Sequence, residues 1–153
     1  MTIVVDTSVI VKWLVVEDGH EKAMLLLDRS ERLACPDFAL AETANVLRRK
    51  IRIDQLPYGQ ASEALVRLPK YFDLIVPSSE LLASGFSLAE TVDHSVYDCM
   101  FLALARREVG SILVTADRVF LKKCLGAGYG DSIQHLDDYS ASKAERNPTI
   151  PES

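Results

Sequence analysis

The sequence predicts an α/β protein in which a mainly parallel central sheet is covered on both faces by helices. Five short segments rich in β-branched and other apolar residues are typical of strands, and segments of helical periodicity separate them. The first segment, residues 2–5, is β-branched at every position and shows no polar alternation, which is typical of a strand buried on both faces. Strands that alternate with helices in this way form parallel sheets.

The elements follow one another in a regular order. The predicted strands cover residues 2–5, 33–35, 73–76, 111–115 and 132–136, and the predicted helices cover residues 9–16, 19–32, 37–52, 56–68, 77–90, 96–109 and a short segment after residue 117. Pro36 and Asp37 indicate the start of the third helix, because Pro is favoured at a helix N-terminus and Asp in its first turn. Ser95 is expected to cap the sixth helix, and Gly110 is expected to end it.

The chain of 153 residues is expected to form one domain over residues 1–137. Residues 138–153 turn polar and contain Pro148 and Pro151, so they are expected to form a flexible C-terminal tail.

Composition narrows the class of protein. An apolar share of 48% and a charged share of 25% are those of a soluble globular protein, and the formal charge of −5 argues against binding nucleic acid through bulk charge. Three cysteines without a C-x-x-C pair suit a reducing compartment. With neither a signal peptide nor an apolar run of membrane length in the sequence, we expect a cytoplasmic protein without a membrane partner.

Four acidic residues, Asp6, Glu42, Asp98 and Asp117, are the candidate site. Asp6 and Asp117 follow predicted strands, and Asp98 and Glu42 lie in early turns of predicted helices. Taken singly, each aspartate also fits a helix cap, and Glu42 also fits an exposed residue paired with Asn45 or Arg49.

Taken together, the four acids favour a metal site. Ligands of an open parallel sheet gather at the carboxyl ends of its strands, where these residues are expected to meet. Neighbouring carboxylates raise one another's pKa values, and a divalent cation reverses that effect. Oxygen ligands suit Mg²⁺ or Mn²⁺ and chemistry on phosphates by an activated water.

Four segments resemble the PIN-domain ribonucleases, and most closely the VapC-type toxins of toxin–antitoxin pairs. They are residues 4–11 (VVDTSVIV), 36–47 (PDFALAETANVL), 97–105 (YDCMFLALA) and 113–120 (LVTADRVF), and they occur in the order and spacing of that family. The resemblance implies an α/β/α sandwich and an endoribonuclease dependent on Mg²⁺, with Mn²⁺ as a substitute. It also implies a homodimer, an RNA substrate and a VapB-like antitoxin.

The resemblance also implies which residues act. The family's acidic quartet falls on Asp6, Glu42, Asp98 and Asp117, its hydroxyl residue before the last acid falls on Thr115, and a small polar position beside the first acid falls on Ser8. Asp6 and Asp98 are then the expected direct metal ligands. The other two acids complete the metal shell directly or through water, and the hydroxyls orient waters or carboxylates.

Basic, aromatic and histidine residues are the further candidates for contact with a substrate or a metal. The basic candidates for substrate contact are Lys12, Arg48, Arg49, Lys50, Arg52, Arg106, Arg107, Lys122 and Lys123, although solvated helix ends are the expected reading. Trp13 fits a core position better than a base-stacking one. His20, His94 and His135 lack metal-ligand spacing, so histidine-based metal chemistry is not expected.

Two other functions stay open. A module that binds RNA or an antitoxin without cutting would need a lost carboxylate, and none is lost. A phosphatase with an aspartyl nucleophile would need Asp-x-Asp, and Ser8 stands where its second Asp should be. An apolar groove for an antitoxin helix is expected between the helices at 9–16 and 19–32. The RNA, its cut site, the antitoxin and the number of metal ions are not determined by these patterns.

Overall fold

The five predicted strands are present and form one parallel sheet. In the computed structural model, which describes residues 1–28 and 30–146, they are β1 (Thr2–Val5), β2 (Arg32–Pro36), β3 (Leu74–Val76), β4 (Ile112–Thr115) and β5 (Ile133–His135). Their order in the sheet is β3-β2-β1-β4-β5, and every neighbouring pair is parallel. Each strand begins and ends within one residue of its predicted bounds, and the α/β class is confirmed.

The central strand β1 determines where a crevice opens. Ile3 of β1 pairs with Leu33 of β2 on one side and with Ile112 of β4 on the other. The chain builds the sheet outward through β2 and β3, and then crosses back to place β4 on the free side of β1. The loops after β1 and β4 therefore leave the sheet side by side, and a crevice of this kind is where open α/β sheets bind ligands.

Eight α-helices cover the sheet. They are α1 (Thr7–Leu14), α2 (His20–Met24), α3 (Phe38–Arg52), α4 (Tyr58–Arg67), α5 (Leu82–Val92), α6 (Val96–Arg107), α7 (Arg118–Gly126) and α8 (Leu136–Arg146), within the part of the chain that is described. Successive side chains of a strand point to opposite faces, and Ile3, Val4 and Val5 are all fully buried. Helices therefore cover both faces of the sheet, as expected for a sandwich.

The second helix is shorter than predicted. The sequence predicted one helix over residues 19–32, whereas α2 ends at Met24 and a 3₁₀ turn covers Leu25–Asp28. Asp28 Oδ1 accepts hydrogen bonds from the backbone N–H of Ser30 at 3.0 Å and from its hydroxyl at 2.8 Å. Such a side-chain-to-backbone turn competes with the helical hydrogen bonds and directs the chain into β2.

The expected loose tail is wrong for residues 138–146, which belong to α8. Leu136, Tyr139 and Lys143 are buried along one face of this helix. Lys143 Nζ donates to the carbonyl oxygen of Leu25 at 2.8 Å and to Asp28 Oδ1 at 2.7 Å. A buried face that carries a lysine and a tyrosine does not give a clear hydrophobic period, so the sequence pattern did not reveal it.

Residues 147–153 of the predicted tail, with Pro148 and Pro151, lie outside the described residues, as does Arg29. Among the helices that the structure does describe, none combines the length and the hydropathy needed to cross a membrane.

The contact between α5 and α6 depends on a glycine. A Cβ atom on Gly85 would clash with Met100 Cγ and would lie 3.3 Å from the backbone Cα and N of Met100. The absence of a side chain at Gly85 therefore sets the distance between the two helices, and α6 carries Asp98.

We expect Gly85→Ala to lower the free energy of unfolding by about 1 to 3 kcal/mol, because the added methyl group overpacks the α5–α6 contact. Gly59→Ala is the matched control, since a Cβ there has no neighbour within 4 Å. That control is expected to be neutral or stabilising by up to about 1 kcal/mol, because alanine favours helix. Urea denaturation of both variants measures the difference, and equal stabilities would contradict the prediction.

Candidate active site

Asp6 lies at the end of the central strand, directly before α1. It occupies the N-cap position of α1, but its side chain makes no capping hydrogen bond. Instead, Asp6 Oδ2 accepts hydrogen bonds from the hydroxyls of Ser8 at 2.5 Å and Thr115 at 2.9 Å. The carboxylate is therefore held in the crevice between β1 and β4 rather than used to cap the helix.

The two hydroxyls join Asp6 to the loop after β4. Ser8 Oγ accepts from the backbone N–H of Ala116 at 3.0 Å, and Thr115 Oγ1 accepts from the backbone N–H of Asp117 at 3.0 Å. Each hydroxyl has one proton and donates it to Asp6 Oδ2, so its lone pairs are left for the backbone. The other oxygen of Asp6, Oδ1, accepts no side-chain hydrogen bond from the described part of the chain.

Ionising Asp6 is unfavourable in the folded protein. Its side chain is 5% exposed, and burial raises the pKa from 3.8 to about 6. The hydrogen bonds from Ser8 and Thr115 oppose this shift, while the charges of Asp98 and Asp117 add to it. The influence of those two charges means that three carboxylates share one region.

Glu42 lies in the second turn of α3 and joins the same region. Its Oε1 accepts a hydrogen bond from Thr7 Oγ1, in the first turn of α1, at 2.9 Å. Burial raises its pKa, the Thr7 hydrogen bond lowers it, and the charges of Asp6 and Asp98 raise it further. Across the described residues, Glu42 forms no ion pair, so the alternative pairing with Arg49 is not what the structure has.

Asp98 and Asp117 lie together at the N-termini of α6 and α7. As predicted, Ser95 caps α6 by accepting from the backbone N–H of Asp98 at 3.2 Å. Asp117 caps α7 by accepting from the backbone N–H of Phe120 at 3.0 Å, which uses only its Oδ1 atom. The capping role of Asp117 is therefore compatible with a place in the acidic cluster.

His94 lies beside two of the acids, a position that the sequence did not predict. Its Nε2 atom lies 2.6 Å from Asp98 Oδ2, and one ligand atom from each of His94, Asp98 and Asp117 falls within 4.8 Å of the others. His94 directly precedes the N-cap and is four residues before Asp98, the separation of the two histidines in H-E-x-x-H, but here the second position is an aspartate and the first lies outside the helix. His20 and His135 lie elsewhere, bonded to the Lys12 carbonyl and to the backbone N–H of Asp137.

The basic residues and Trp13 have structural contacts. Lys12 and Lys50 both pair with Glu17, at 3.3 and 2.8 Å. Trp13 is buried, and its Nε1 donates to the Ala23 carbonyl at 2.9 Å, so its expected place in the core is confirmed.

The remaining basic candidates lie on the surface or at helix ends. Arg106 stacks over the Tyr129 ring at 4.6 Å, and Arg107 pairs with Glu80 at 3.0 Å. Lys123 donates to the carbonyl oxygen of Asp93. Arg48, Arg49, Arg52 and Lys122 are exposed helical residues.

An apolar groove lies between α3 and α4, a place that the sequence did not predict. It encloses about 620 Å³. Its floor is formed by Leu47, Ala61 and Leu65, and its rim by Arg48 and Arg52.

The donor set of the crevice fits a divalent cation. Asp6, Glu42, Asp98 and Asp117 supply carboxylate oxygens, and no Lys or Arg of residues 1–28 and 30–146 forms an ion pair with any of them. Carboxylates that lack a Lys or Arg partner are stabilised by a hard cation such as Mg²⁺ or Mn²⁺.

The chain matches the PIN domain family over residues 3–124. The matched region includes all four acids and Thr115. The chain belongs to the PIN domain family.

Particular relatives refine this assignment. The chain is 34% identical over 125 residues to ribonuclease VapC3 of Pyrobaculum aerophilum, in an alignment that covers 80% of this chain and 95% of that protein. The chain is thus a homologue of a VapC-type ribonuclease.

Two solved structures share the fold. The crystal structure of PAE2754 from Pyrobaculum aerophilum gives a TM-score of 0.67 at 22% identity, covering 95% of this chain and 90% of that one. The second is the crystal structure of VapC20 of Mycobacterium tuberculosis, described as a toxin that cleaves the sarcin–ricin loop. It gives a TM-score of 0.63 at 20% identity, covering 82% of this chain and 95% of that one.

We expect Asp6→Asn to stabilise the metal-free protein at pH 7. The pKa of Asp6 in the folded protein lies above its ordinary value of 3.8. The contribution of Asp6 to the free energy of unfolding is therefore fully present below pH 3.8 and is lost as the pH rises through about 6. Asparagine does not ionise and keeps an oxygen for Ser8 and Thr115. In EDTA, the gain in unfolding free energy should be on the order of 2 to 3 kcal/mol at pH 7 and should vanish near pH 4. A pH-independent difference, or one shared by the exposed control Asp138→Asn, would contradict this explanation.

Proposed function

We propose that the protein is a metal-dependent endoribonuclease and the toxin of a toxin–antitoxin pair. The observation that carries this proposal is the position of Asp6, Glu42, Asp98 and Asp117 at the carboxyl edge of the sheet, where no Lys or Arg of residues 1–28 and 30–146 forms an ion pair with any of them. Membership of the PIN domain family and the similarity to ribonuclease VapC3 support RNA as the substrate.

The acids would hold Mg²⁺, or Mn²⁺ in its place. Asp6 offers its free Oδ1 and Asp117 its Oδ2, while Asp98 and Glu42 face the same region from α6 and α3. A bound divalent cation would lower the pKa of a water and neutralise charge on the scissile phosphate.

The surrounding hydroxyls hold the carboxylates of this site in position in the ligand-free protein. Ser8 and Thr115 hold one oxygen of Asp6 and leave the other free, and Thr7 holds one oxygen of Glu42. Carboxylates fixed in this way need little rearrangement when they bind a cation, which is the condition for efficient electrostatic stabilisation.

A covalent mechanism through a thiol has no support. Cys35, Cys99 and Cys124 are buried, and burial raises their pKa values to about 12, 11 and 12. A protonated, buried thiol is a poor nucleophile. Hydrolysis by water is therefore the mechanism that suits this chain.

The toxin role rests on the relatives. We propose that the partner of the protein is a VapB-like antitoxin, that the protein forms a homodimer, and that it acts in the cytoplasm. The α3–α4 groove offers an apolar surface to such an antitoxin, and Arg48 and Arg52 at its rim would favour an occupant with acidic side chains. Residues 1–137 are proposed as the nuclease domain, and the rest of α8, which begins at Leu136, continues from it and packs against its core.

Purified protein is expected to cleave total cellular RNA with Mg²⁺ or Mn²⁺ and to lose this activity in EDTA. Asp98→Asn keeps the size and the fold but removes a negative charge from the cation site, so we expect at least a hundredfold lower rate, on the order of what one essential electrostatic contact contributes. The rate of fragment formation on sequencing gels measures the effect.

Asp138→Asn is the control, because Asp138 is exposed on α8 and, within the described residues, makes no side-chain hydrogen bond or ion pair with the four acids. A folded Asp98→Asn variant that cleaves as fast as the wild type would overturn the assignment of this site. Absence of cleavage by the folded wild type, on total RNA and on separated tRNA and rRNA, would favour a non-cleaving binding module.

Expression of the wild-type chain in a bacterial host is expected to arrest growth, because cleavage of cellular RNA stops protein synthesis. Asp98→Asn should accumulate without arrest, and Asp138→Asn should arrest growth like the wild type. Colony counts after induction measure toxicity, with protein levels compared by immunoblot. Equal arrest by the wild type and Asp98→Asn would show that toxicity does not arise from the acidic site.

A further inference from the structure

We propose that His94 supplies a nitrogen ligand to the cation of the acidic site, so that the site prefers Mn²⁺ over Mg²⁺. This inference rests on the proposed function, because it concerns the same crevice. It goes further by assigning a ligand outside the acidic quartet and by stating which metal this particular chain selects.

The positions of three ligand atoms carry the proposal. One ring nitrogen of His94, a carboxylate oxygen of Asp98 and a carboxylate oxygen of Asp117 all lie within 4.8 Å of one another. Ligand atoms about 2.1 Å from one ion stand roughly 3 to 4 Å apart, so one cation can reach all three after small side-chain movements. The closest pair, His94 Nε2 and Asp98 Oδ2 at 2.6 Å, needs only to separate slightly.

The imidazole ring is held in its orientation. It stacks on the Phe120 ring with centroids 4.8 Å apart and an interplanar angle of 21°. Phe120 is fully buried, and its backbone N–H is the group that Asp117 caps. The ring of His94 and the carboxylate of Asp117 are therefore both positioned by the first turn of α7.

The backbone before His94 is held as well. Asp93 ends α5 in the left-handed region with φ of 58°, and its carbonyl oxygen accepts a hydrogen bond from Lys123 Nζ on α7. The backbone N–H of His94 donates to the carbonyl oxygen of Ala89 at 3.3 Å. His94 thus lies on a turn fixed by α5 and α7, unlike a histidine on a free surface loop.

The hydrogen bonding of His94 is compatible with metal binding through Nε2. Within the described residues, Nδ1 of His94 has no hydrogen-bond partner, so it can carry the ring proton in the neutral tautomer. The proton that Nε2 shares with Asp98 then moves to Nδ1 or to solvent, and both Nε2 and Asp98 Oδ2 become free to bind the cation.

A nitrogen ligand changes which metal binds best. Mg²⁺ favours oxygen ligands and keeps several waters, whereas imidazole suits transition metals, for which affinity rises from Mn²⁺ towards Cu²⁺. A site with four carboxylates alone would discriminate weakly between Mg²⁺ and Mn²⁺. The addition of His94 should strengthen the binding of Mn²⁺ selectively.

The test uses Mn²⁺ alone as the probe, in the absence of RNA. Pulsed electron paramagnetic resonance of Mn²⁺ bound to the full chain should show coupling to a ¹⁴N nucleus, and labelling with ¹⁵N-histidine should shift that coupling. The signal should be lost in His94→Ala and His94→Asn and retained in the control His20→Ala, because His20 lies away from the acids.

Affinities provide the second readout. We expect His94→Ala to weaken Mn²⁺ binding by about tenfold to a hundredfold and Mg²⁺ binding by less than about threefold, as measured by calorimetry. Asp98→Asn should weaken both metals. Circular dichroism establishes that each variant is folded, and the isotope experiment on the wild type does not depend on any variant.

Three outcomes would overturn the inference: no binding of Mn²⁺, bound Mn²⁺ without nitrogen coupling, or an equal loss of both metals in His94→Ala. The last two would make His94 a residue that only positions Asp98. RNA cleavage measured in parallel separates this inference from the proposed function. If RNA cleavage depends on Asp98 but bound Mn²⁺ shows no nitrogen coupling, only the role of His94 is contradicted. If bound Mn²⁺ shows nitrogen coupling but the protein does not cleave RNA, only the nuclease assignment is contradicted.

Discussion

The burial of one carboxylate, Asp6, at the end of the central strand is the constraint on which the rest of the site depends. A buried carboxylate must receive hydrogen bonds or a cation, and here Ser8 and Thr115 supply the hydrogen bonds on one oxygen only. The same two hydroxyls accept from the backbone of the loop after β4. Asp6 therefore determines the path of that loop, and the loop in turn places Asp117.

The other acids reach this region through helix packing. Glu42 arrives from α3 and is tied to α1 by Thr7, while Asp98 arrives at the start of α6, whose approach to α5 requires Gly85. Each carboxylate brings charge into a region that already holds Asp6, so the apo site is less stable than a neutral one would be. Proteins commonly accept such local instability where a ligand is to be bound.

Most of the fold was predictable because strand and helix periods are local properties of the chain. The strands were located to within one residue, since each is a short apolar run next to residues that favour turns or helix caps. The prediction was wrong where polar side chains make structural contacts: Asp28 accepts the hydrogen bonds of the turn before β2, and Lys143 occupies a buried position in α8. Residue type alone does not reveal a buried lysine whose partners lie far away in the chain.

The sequence by itself determined the fold class and the family and predicted the four acids of the site, because these follow from local periodicity and from motifs in a recognisable order. Only the tertiary structure decided that His94 joins Asp98 and Asp117, and that the apolar groove lies between α3 and α4. The orientation of His94 depends on Phe120 and Lys123, which are distant in sequence, and on a left-handed backbone at Asp93. Contacts between distant residues arise only when the elements have packed, so no local pattern contains them.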